Sequence, residues 1–490
     1  MSEPEKKDRY VHDKKKEHIL VTIVIIFSIL ALTLAIFSIT GVWAQEKELA
    51  DTWAKTLAIP AAIAAIYRLV LSIIDRYHAN KKADFLNIRS KQNKNRTNST
   101  QECYEAYINK YSSKKEDVLA PSTALIIKKE WEPYFNDKNA LKDKDGHIRG
   151  YDKEKIKLIP IEEIDKTSQY LEETPSEEMC EDRSLHTMLQ ELNLLPMKKL
   201  TYAEHLCEYG DKPPFNGENV AVSKIELNEH GIPHFHLYRA HYFDFLNTCQ
   251  GLEYAYESGY REAKLALDVL DLNNRTAGIG ISDLTVINHV KKYNDSDSNQ
   301  YTSLFLMHKR SNNLLESPGK VHVVPAGSMR WGYSLDEHNY GQLNKEKTSK
   351  MIDNIFKEFD EEIITEEYEK EVQSTRYIEE HNQALHAASS VYYLGCGIEP
   401  YNTKMEILTV IVIDADKLDD HIKAALHLDS FESAEKYYKE RKDTSEGKIV
   451  VEEFTKATLE EYAMNPKITP AGKEILTRAH FFYDQIKHLN

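Results

Sequence analysis

Three short stretches decide the fold: LFLMHKRS at Leu304–Ser311, SPGKVHVVPAGSM at Ser317–Met329 and KEFDEEI at Lys357–Ile363. The first stretch is apolar and ends in basic residues, as is typical of a strand that reaches the edge of a core. The second contains Pro and Gly, which favour a turn. The third lies in a segment with apolar residues at helical spacing. The sequence therefore predicts a strand, a turn and a helix in succession.

The helix carries glutamates whose spacing suits a metal ion. Glu358, Glu361 and Glu362 stand at positions i, i+3 and i+4, which fall on one helical face. Their hard oxygens can hold Mg²⁺, which in turn bridges phosphate oxygens. Taken alone, the three glutamates favour a solvated helix face, because every face of this helix outside one apolar stripe is acidic.

Together the strand, turn and helix resemble the Nudix superfamily, in which a helix with R-E-x-x-E-E supplies carboxylates for Mg²⁺. On that resemblance Gly327 opens the motif and Glu358, Glu361 and Glu362 are the metal ligands. The fold that it implies is an α/β domain with a mixed sheet between helices. Mg²⁺ is the cofactor implied.

The motif also departs from the family. Tyr333 stands where the family has a glutamate, Lys357 replaces its arginine, and Ile363 replaces its glycine. The loop between Gly327 and Glu358 is about twice as long as the loop that precedes the metal-binding helix in the resembled motif. These departures favour binding over hydrolysis, and no catalytic residue is predicted.

Basic and aromatic residues near the motif are candidate ligand contacts. Arg310 ends its strand and is either a surface cation or a phosphate contact. Arg330 and Trp331 follow the turn and could pair with and stack on a nucleotide, because a guanidinium or an indole offers a planar face. Upstream, NVAVSKIEL and IPHFHLYRA predict a hairpin. Its alternate residues His234 and His236 could chelate a transition metal, although ordinary hairpin histidines are the favoured interpretation.

Two apolar stretches near the N-terminus predict membrane spans. Residues 19–43 contain no charge and are long enough to cross a hydrocarbon core of about 30 Å. Residues 57–74 form the second predicted span, in which Arg68 either anchors at the interface or lines a pore. Basic residues flank both stretches on their outer sides. The sequence therefore predicts a two-pass protein of the bacterial inner membrane with both termini in the cytoplasm.

The net charge and the cysteine content restrict which partners the protein can bind and which redox state its cysteines have. The 490 residues carry a net charge of −16, and because residues 1–96 carry +6, the rest carry −22. The basic end suits anionic lipid, whereas the acidic body argues against binding long nucleic acids. Five cysteines lie far apart without a C-x-x-C pair, which is consistent with reduced thiols.

The predicted organisation has four parts. They are a basic tail (1–17), two transmembrane helices (18–76), a linker and accessory α/β region (77–200), and a Nudix-like domain (201–490). Within the third part, residues 87–117 are polar and typical of a linker.

A transmembrane hairpin followed by a divergent Nudix-like domain is similar to the membrane effectors of bacterial CBASS antiphage systems, which carry a SMODS-associated Nudix domain. The resemblance implies that a partner nucleotidyltransferase makes a cyclic nucleotide second messenger, which the cytoplasmic domain binds. It also implies self-association and disruption of the inner membrane, causing abortive infection. One alternative is a membrane-tethered, Mg²⁺-dependent hydrolase of nucleoside diphosphate derivatives. Another is a structural membrane anchor.

Overall fold

The structure is a computed structural model. It describes residues 49–112, 122, 124–136, 138–144, 148–171, 201–210, 213–293, 300–311, 319–332, 350–364, 384–418, 420–440 and 447–489. Two compact units are present, Met1–Leu86 and Asn87–Asn490. The second unit contains the candidate site.

Helices surround the sheets of the second unit. In chain order the helices are α1 (Leu49–Ser112), α2 (Ile161–Thr167), α3 (Tyr202–Tyr209), α4 (Tyr242–Phe245), α5 (Gly251–Glu257), α6 (Arg261–Ala266), α7 (Met351–Phe359), α8 (Asp420–Ala425), α9 (Phe431–Glu440), α10 (Lys456–Met464), α11 (Pro470–Phe481) and α12 (Tyr483–Lys487). Short 3₁₀ turns lie at Lys129–Trp131 and Ala415–Lys417, and π-helical turns lie at Leu246–Gln250 and Asp360–Ile364.

The strands belong to three sheets. In chain order they are β1 (Ala140–Lys142), β2 (Ile148–Tyr151), β3 (Ile159–Pro160), β4 (Gln169–Leu171), β5 (Glu218–Leu227), β6 (Pro233–His241), β7 (Ile279–Lys292), β8 (Gln300–Arg310), β9 (Val321–Val323), β10 (Ala326–Ser328), β11 (Ser389–Ile398), β12 (Met405–Asp414) and β13 (Gly447–Glu453). The largest sheet has eight strands in the order β13-β8-β7-β12-β11-β3, with β10 beside β7 and β9 beside β8. A second sheet has the order β4-β6-β5, and β1 pairs with β2.

The central strands β7 and β12 carry the core. Among the strands that the structure describes in the large sheet, they are the pair that runs parallel, with Met405 opposite Ile279 and Asp414 opposite Asn288. Every residue of β12 is buried. A strand covered on both faces needs an almost continuous apolar run, and the sequence of β12, MEILTVIVID, provides one. The described part of the chain thus contains a mixed sheet, in which β7 and β12 run parallel and the other paired strands antiparallel.

Helix α1 corrects the predicted membrane architecture. It runs for 64 residues, from within the predicted outer loop, through the second predicted span at 57–74, and on to Ser112. Among the residues that the structure describes, no helix combines the length and the apolar character that a bilayer crossing requires.

The predicted fold class, with its transmembrane hairpin, is accordingly wrong. The two-pass inner-membrane localisation rested on the same hairpin and is corrected with it. The first predicted span, residues 19–43, and the basic tail lie outside the described residues. The domain boundaries at 77 and 201 stay predictions, but residues 87–112, predicted as part of a linker, are helical.

The last part of α1 belongs to the second unit's core. Cys103, Tyr107 and Tyr111 are buried within the same apolar cluster as the strands of the large sheet. Arg96 is 5% exposed and donates to both carboxylate oxygens of Glu253 on α5, at 3.2 and 2.7 Å. A buried bidentate pair of this kind needs both partners, because either charge alone would be left desolvated.

Candidate metal and phosphate site

The turn that contains Gly327 is held against the central sheet. Strand β10 pairs with β7, which places Gly327 opposite Ile281. Met329 N then donates to Ile279 O at 3.0 Å, and the Val324–Pro325 peptide bond before the strand is cis. Helix α7 packs on this turn, where Asn354 Oδ1 accepts a 2.8 Å hydrogen bond from Arg330 N. The pairing of β10 with β7 and the hydrogen bond from Arg330 N to Asn354 together fix the path of the turn.

Gly327 lies directly under a glutamate of α7. A Cβ added at Gly327 would collide with the carboxylate of Glu358. The absence of a side chain therefore lets this carboxylate lie against the strand backbone, which gives a packing reason for glycine at the position where the motif begins.

The three glutamates of α7 and its π-helical turn do not point the same way. Glu358 is 9% exposed, and Glu362 Oε2 accepts a 3.1 Å hydrogen bond from Ala326 N, so both reach β10. The Glu361 side chain is 55% exposed. Lys357 Nζ donates to Glu358 Oε1 at 2.6 Å and to Glu361 Oε2 at 2.8 Å. The expected shared face is thus divided, with Glu358 and Glu362 turned inward and Glu361 turned toward solvent.

A fourth carboxylate, missed by the sequence reasoning, lies beside these two. Asp283 of β7 is fully buried, and its backbone N donates to Pro325 O at 2.9 Å in the turn. Neither carboxylate oxygen of Asp283 has a hydrogen-bond partner in the part of the chain that the structure describes. The signal available in the sequence was a single acid within a strand, GISDLTVI, whose other residues are apolar or small.

The pKa shifts show that negative charge is concentrated here. Burial raises the pKa of Asp283 well above its ordinary value, and the negative charges of Glu358, Glu362 and Glu406 raise it further. Burial also raises the pKa of Glu358, although Lys357 and Arg330 oppose this. For Lys357 the burial that lowers its pKa is outweighed by Glu358 and Glu361, so its pKa is raised and its ammonium is retained. A cation would relieve the remaining repulsion among the carboxylates.

The other predicted ligand contacts occupy different surroundings. Arg330 is exposed next to the turn, close enough to Glu358 to lower its pKa. Trp331 is 1% exposed, with its ring 6.5 Å from that of Tyr170, and its indole nitrogen has no acceptor among the described residues. Arg310 lies at the end of β8, opposite Gly447 of β13. The structure thus brings Gly327 and Arg330 to the glutamates but not Arg310, and ligand contact by these residues stays a prediction.

The carboxylates suit a divalent cation. Mg²⁺ prefers oxygen donors and is commonly bound through one or two carboxylates together with phosphate oxygens. Asp283 offers two buried oxygens without partners, and Glu358 and Glu362 converge on the same turn. Asp283, Glu358 and Glu362 offer the carboxylate oxygens that Mg²⁺ prefers. Among the described residues they are not a group whose ligand atoms all lie within 4.8 Å of one another, so holding one ion would require these side chains to move closer together.

Comparison with known proteins adds little to this geometry. No protein-family model matches the chain. No curated protein matches it either. Among solved structures, the crystal structure of a mutT/nudix family protein from Listeria innocua is similar at 13% sequence identity, covering 42% of this chain and 94% of that one, with a TM-score of 0.23. A TM-score of this size carries no argument about fold or activity, so membership of the Nudix superfamily stays an expectation from the sequence.

Proposed function

We propose that the α/β domain binds a cyclic nucleotide second messenger through Mg²⁺ held by Asp283, Glu358 and Glu362. The observation that carries the proposal is Asp283, a fully buried carboxylate without hydrogen-bond partners beside two inward-facing glutamates. Burial and the neighbouring carboxylates favour the protonated form of Asp283, and a bound cation would displace that proton by compensating the carboxylate charge. Bound Mg²⁺ would supply the bridge to phosphate oxygens.

The chain's own residues would position the ligand. Lys357 holds Glu358 and Glu361 in place, while Arg330 puts a solvent-facing cation next to the carboxylates. A guanidinium there suits a phosphate, because its fork of N–H donors matches phosphate oxygens. The class of ligand rests on the resemblance to CBASS effectors, in which a nucleotidyltransferase would make the cyclic nucleotide.

Binding without turnover is favoured by two features. Tyr333 stands in place of the early glutamate of the resembled motif, and Lys357 already neutralises one glutamate of the helix. A Mg²⁺-dependent hydrolase would need a carboxylate free to activate water. Glu361 is half exposed but pairs with Lys357 Nζ at 2.8 Å, so it would have to leave that ion pair to act as the base. Hydrolysis of a nucleoside diphosphate derivative is the second candidate.

Calorimetry on the purified full-length protein tests the proposal. Mg²⁺ is titrated first, and a panel of cyclic di- and trinucleotides is then titrated at saturating Mg²⁺ and in chelator. Asp283→Asn and Glu358→Gln should each weaken Mg²⁺ binding by at least about tenfold, and nucleotide binding should need Mg²⁺. Glu460→Gln, an exposed helical glutamate of α10, is the matched control.

Two outcomes would count against it. Equal Mg²⁺ affinity in the wild type and both variants would remove the cation site. Phosphate release from a nucleoside diphosphate derivative, lost in Glu361→Gln, would identify the hydrolase instead.

A further inference from the structure

A second cluster of metal-ligand side chains lies on the β5–β6 hairpin, away from the carboxylates described above. Glu226, His234 and His236 each offer one ligand atom, and these atoms all lie within 4.8 Å of one another. His236 Nε2 is 3.2 Å from Glu226 Oε1, and the two imidazole rings have their centroids 4.6 Å apart. Three side chains of metal-binding type therefore converge on one patch.

The strand geometry explains the convergence. His234 and His236 are alternate residues of β6, so their side chains leave the same face of the sheet. Glu226 of β5 is directly opposite His234 in the antiparallel register. Strand β6 is the middle strand of its sheet, with β4 pairing on its other edge at His236. Because β6 forms backbone hydrogen bonds with a strand on each side, its backbone is fixed, and so is the spacing of the two imidazoles that it carries.

We propose that Glu226, His234 and His236 form a transition-metal site of the zinc class. Two imidazole nitrogens and one carboxylate oxygen are a donor set used by zinc, and three protein ligands leave a coordination position for water or another group. Tetrahedral bonds of about 2.0–2.1 Å require ligand atoms about 3.3 Å apart. The pair Glu226–His236 already meets this separation, and a side-chain rotation of His234 supplies the rest.

Neighbouring charges are compatible with a metal ion. Lys224 forms an ion pair with the other carboxylate oxygen of Glu226, leaving the Oε1 atom to face His236. The Lys224 side chain is 59% exposed and can turn into solvent when a cation binds.

Equilibrium binding of Zn²⁺ and Co²⁺ to the full-length protein tests the site. We expect one equivalent of Zn²⁺ to bind, and Co²⁺ to give the visible absorption of a tetrahedral His/carboxylate site. His234→Ala, His236→Ala and Glu226→Gln should each weaken Zn²⁺ binding by at least about tenfold. His230→Ala, in the exposed turn of the same hairpin, is the matched control and should bind as the wild type does.

The result that would overturn the proposal is Zn²⁺ binding that survives unchanged in the His234→Ala/His236→Ala double variant, or the absence of stoichiometric binding by the wild type. Because the three side chains are only partly buried, these variants should fold, and circular dichroism checks this. Zn²⁺ binding should also persist in Glu358→Gln, which separates this site from the proposed Mg²⁺ site.

Discussion

At the residue scale, single side chains explain why the candidate site has its shape. Gly327 lets the Glu358 carboxylate lie on the strand, and Lys357 joins Glu358 to Glu361. Asp283 adds a buried carboxylate from a strand 75 positions earlier in the chain than Glu358. No single one of these residues identifies the site, because each would be ordinary elsewhere in a protein.

We expect Gly327→Ala to disrupt the site. The added methyl group would collide with the carboxylate end of the Glu358 side chain, which must turn away from the strand, at a cost of about 0.5–1.5 kcal/mol in the free energy of unfolding. Mg²⁺ affinity should fall at the same time. Urea denaturation and calorimetry measure the two effects.

Gly150→Ala is the control for this prediction, because a Cβ at Gly150 of β2 would meet no atom within 4 Å. Its stability should stay within about 0.5 kcal/mol of the wild type. If Gly327→Ala is as harmless as Gly150→Ala, the close approach of Glu358 to the turn is not a feature of the protein in solution.

At the element scale, the long helix α1 is fixed to the second unit by specific polar contacts. Arg96 pairs with Glu253, Tyr107 Oη donates to Lys264 O at 2.8 Å, and Lys110 Nζ donates to the last carbonyls of α6, Ala266 O at 2.9 Å among them. Cations near the C-terminal carbonyls of a helix are favourable. The end of α1 is therefore part of the fold and differs from the flexible linker that its polar composition suggests.

Replacing Arg96 should weaken this attachment. Arg96→Met would leave the buried carboxylate of Glu253 without its cation, at a cost of about 3–5 kcal/mol in unfolding free energy. Amide hydrogen exchange of α1 after residue 87 should become faster. Gln101→Ala, which removes an exposed contact to Glu105 on the same helix, should change stability by less than about 0.5 kcal/mol. Equal effects of the two variants would contradict the structural role of Arg96.

At the scale of the whole molecule, the chain divides at Leu86. The second unit, Asn87–Asn490, holds the buried cluster that runs from Cys103 to Ile486, and both candidate metal sites lie within it. A unit with its own apolar core can fold by itself. All the described residues that we assign to either site lie after residue 87.

We therefore expect a fragment of residues 87–490 to fold cooperatively. Its denaturation should follow one sigmoidal transition by far-UV and near-UV circular dichroism, and its Mg²⁺ and Zn²⁺ affinities should match those of the full chain. A fragment of residues 201–490, the domain boundary expected from the sequence, is the comparison. It lacks Arg96, Cys103 and Tyr107, which are buried in the same unit, and should be markedly less stable. Equal stability of the two fragments would restore the boundary at 201.

The sequence by itself determined the elements whose signals lie in neighbouring residues. The two segments NVAVSKIEL and IPHFHLYRA predicted the β5–β6 hairpin, the apolar run from Leu304 predicted the strand β8, and helical spacing predicted α7, which carries Glu358. Such patterns are local, since period 2 or 3.6 is visible within a few residues.

Only the tertiary structure decided what these elements bring together. The register of β10 on β7 placed Asp283 beside Glu358 and Glu362, and the pairing of β5 with β6 placed Glu226 beside His234 and His236. The predicted transmembrane hairpin was overturned because no helix among the described residues has the length and apolar character of a bilayer crossing. Strand register and helix packing depend on contacts between residues far apart in the chain, and these contacts cannot be predicted from a pattern of neighbouring residues.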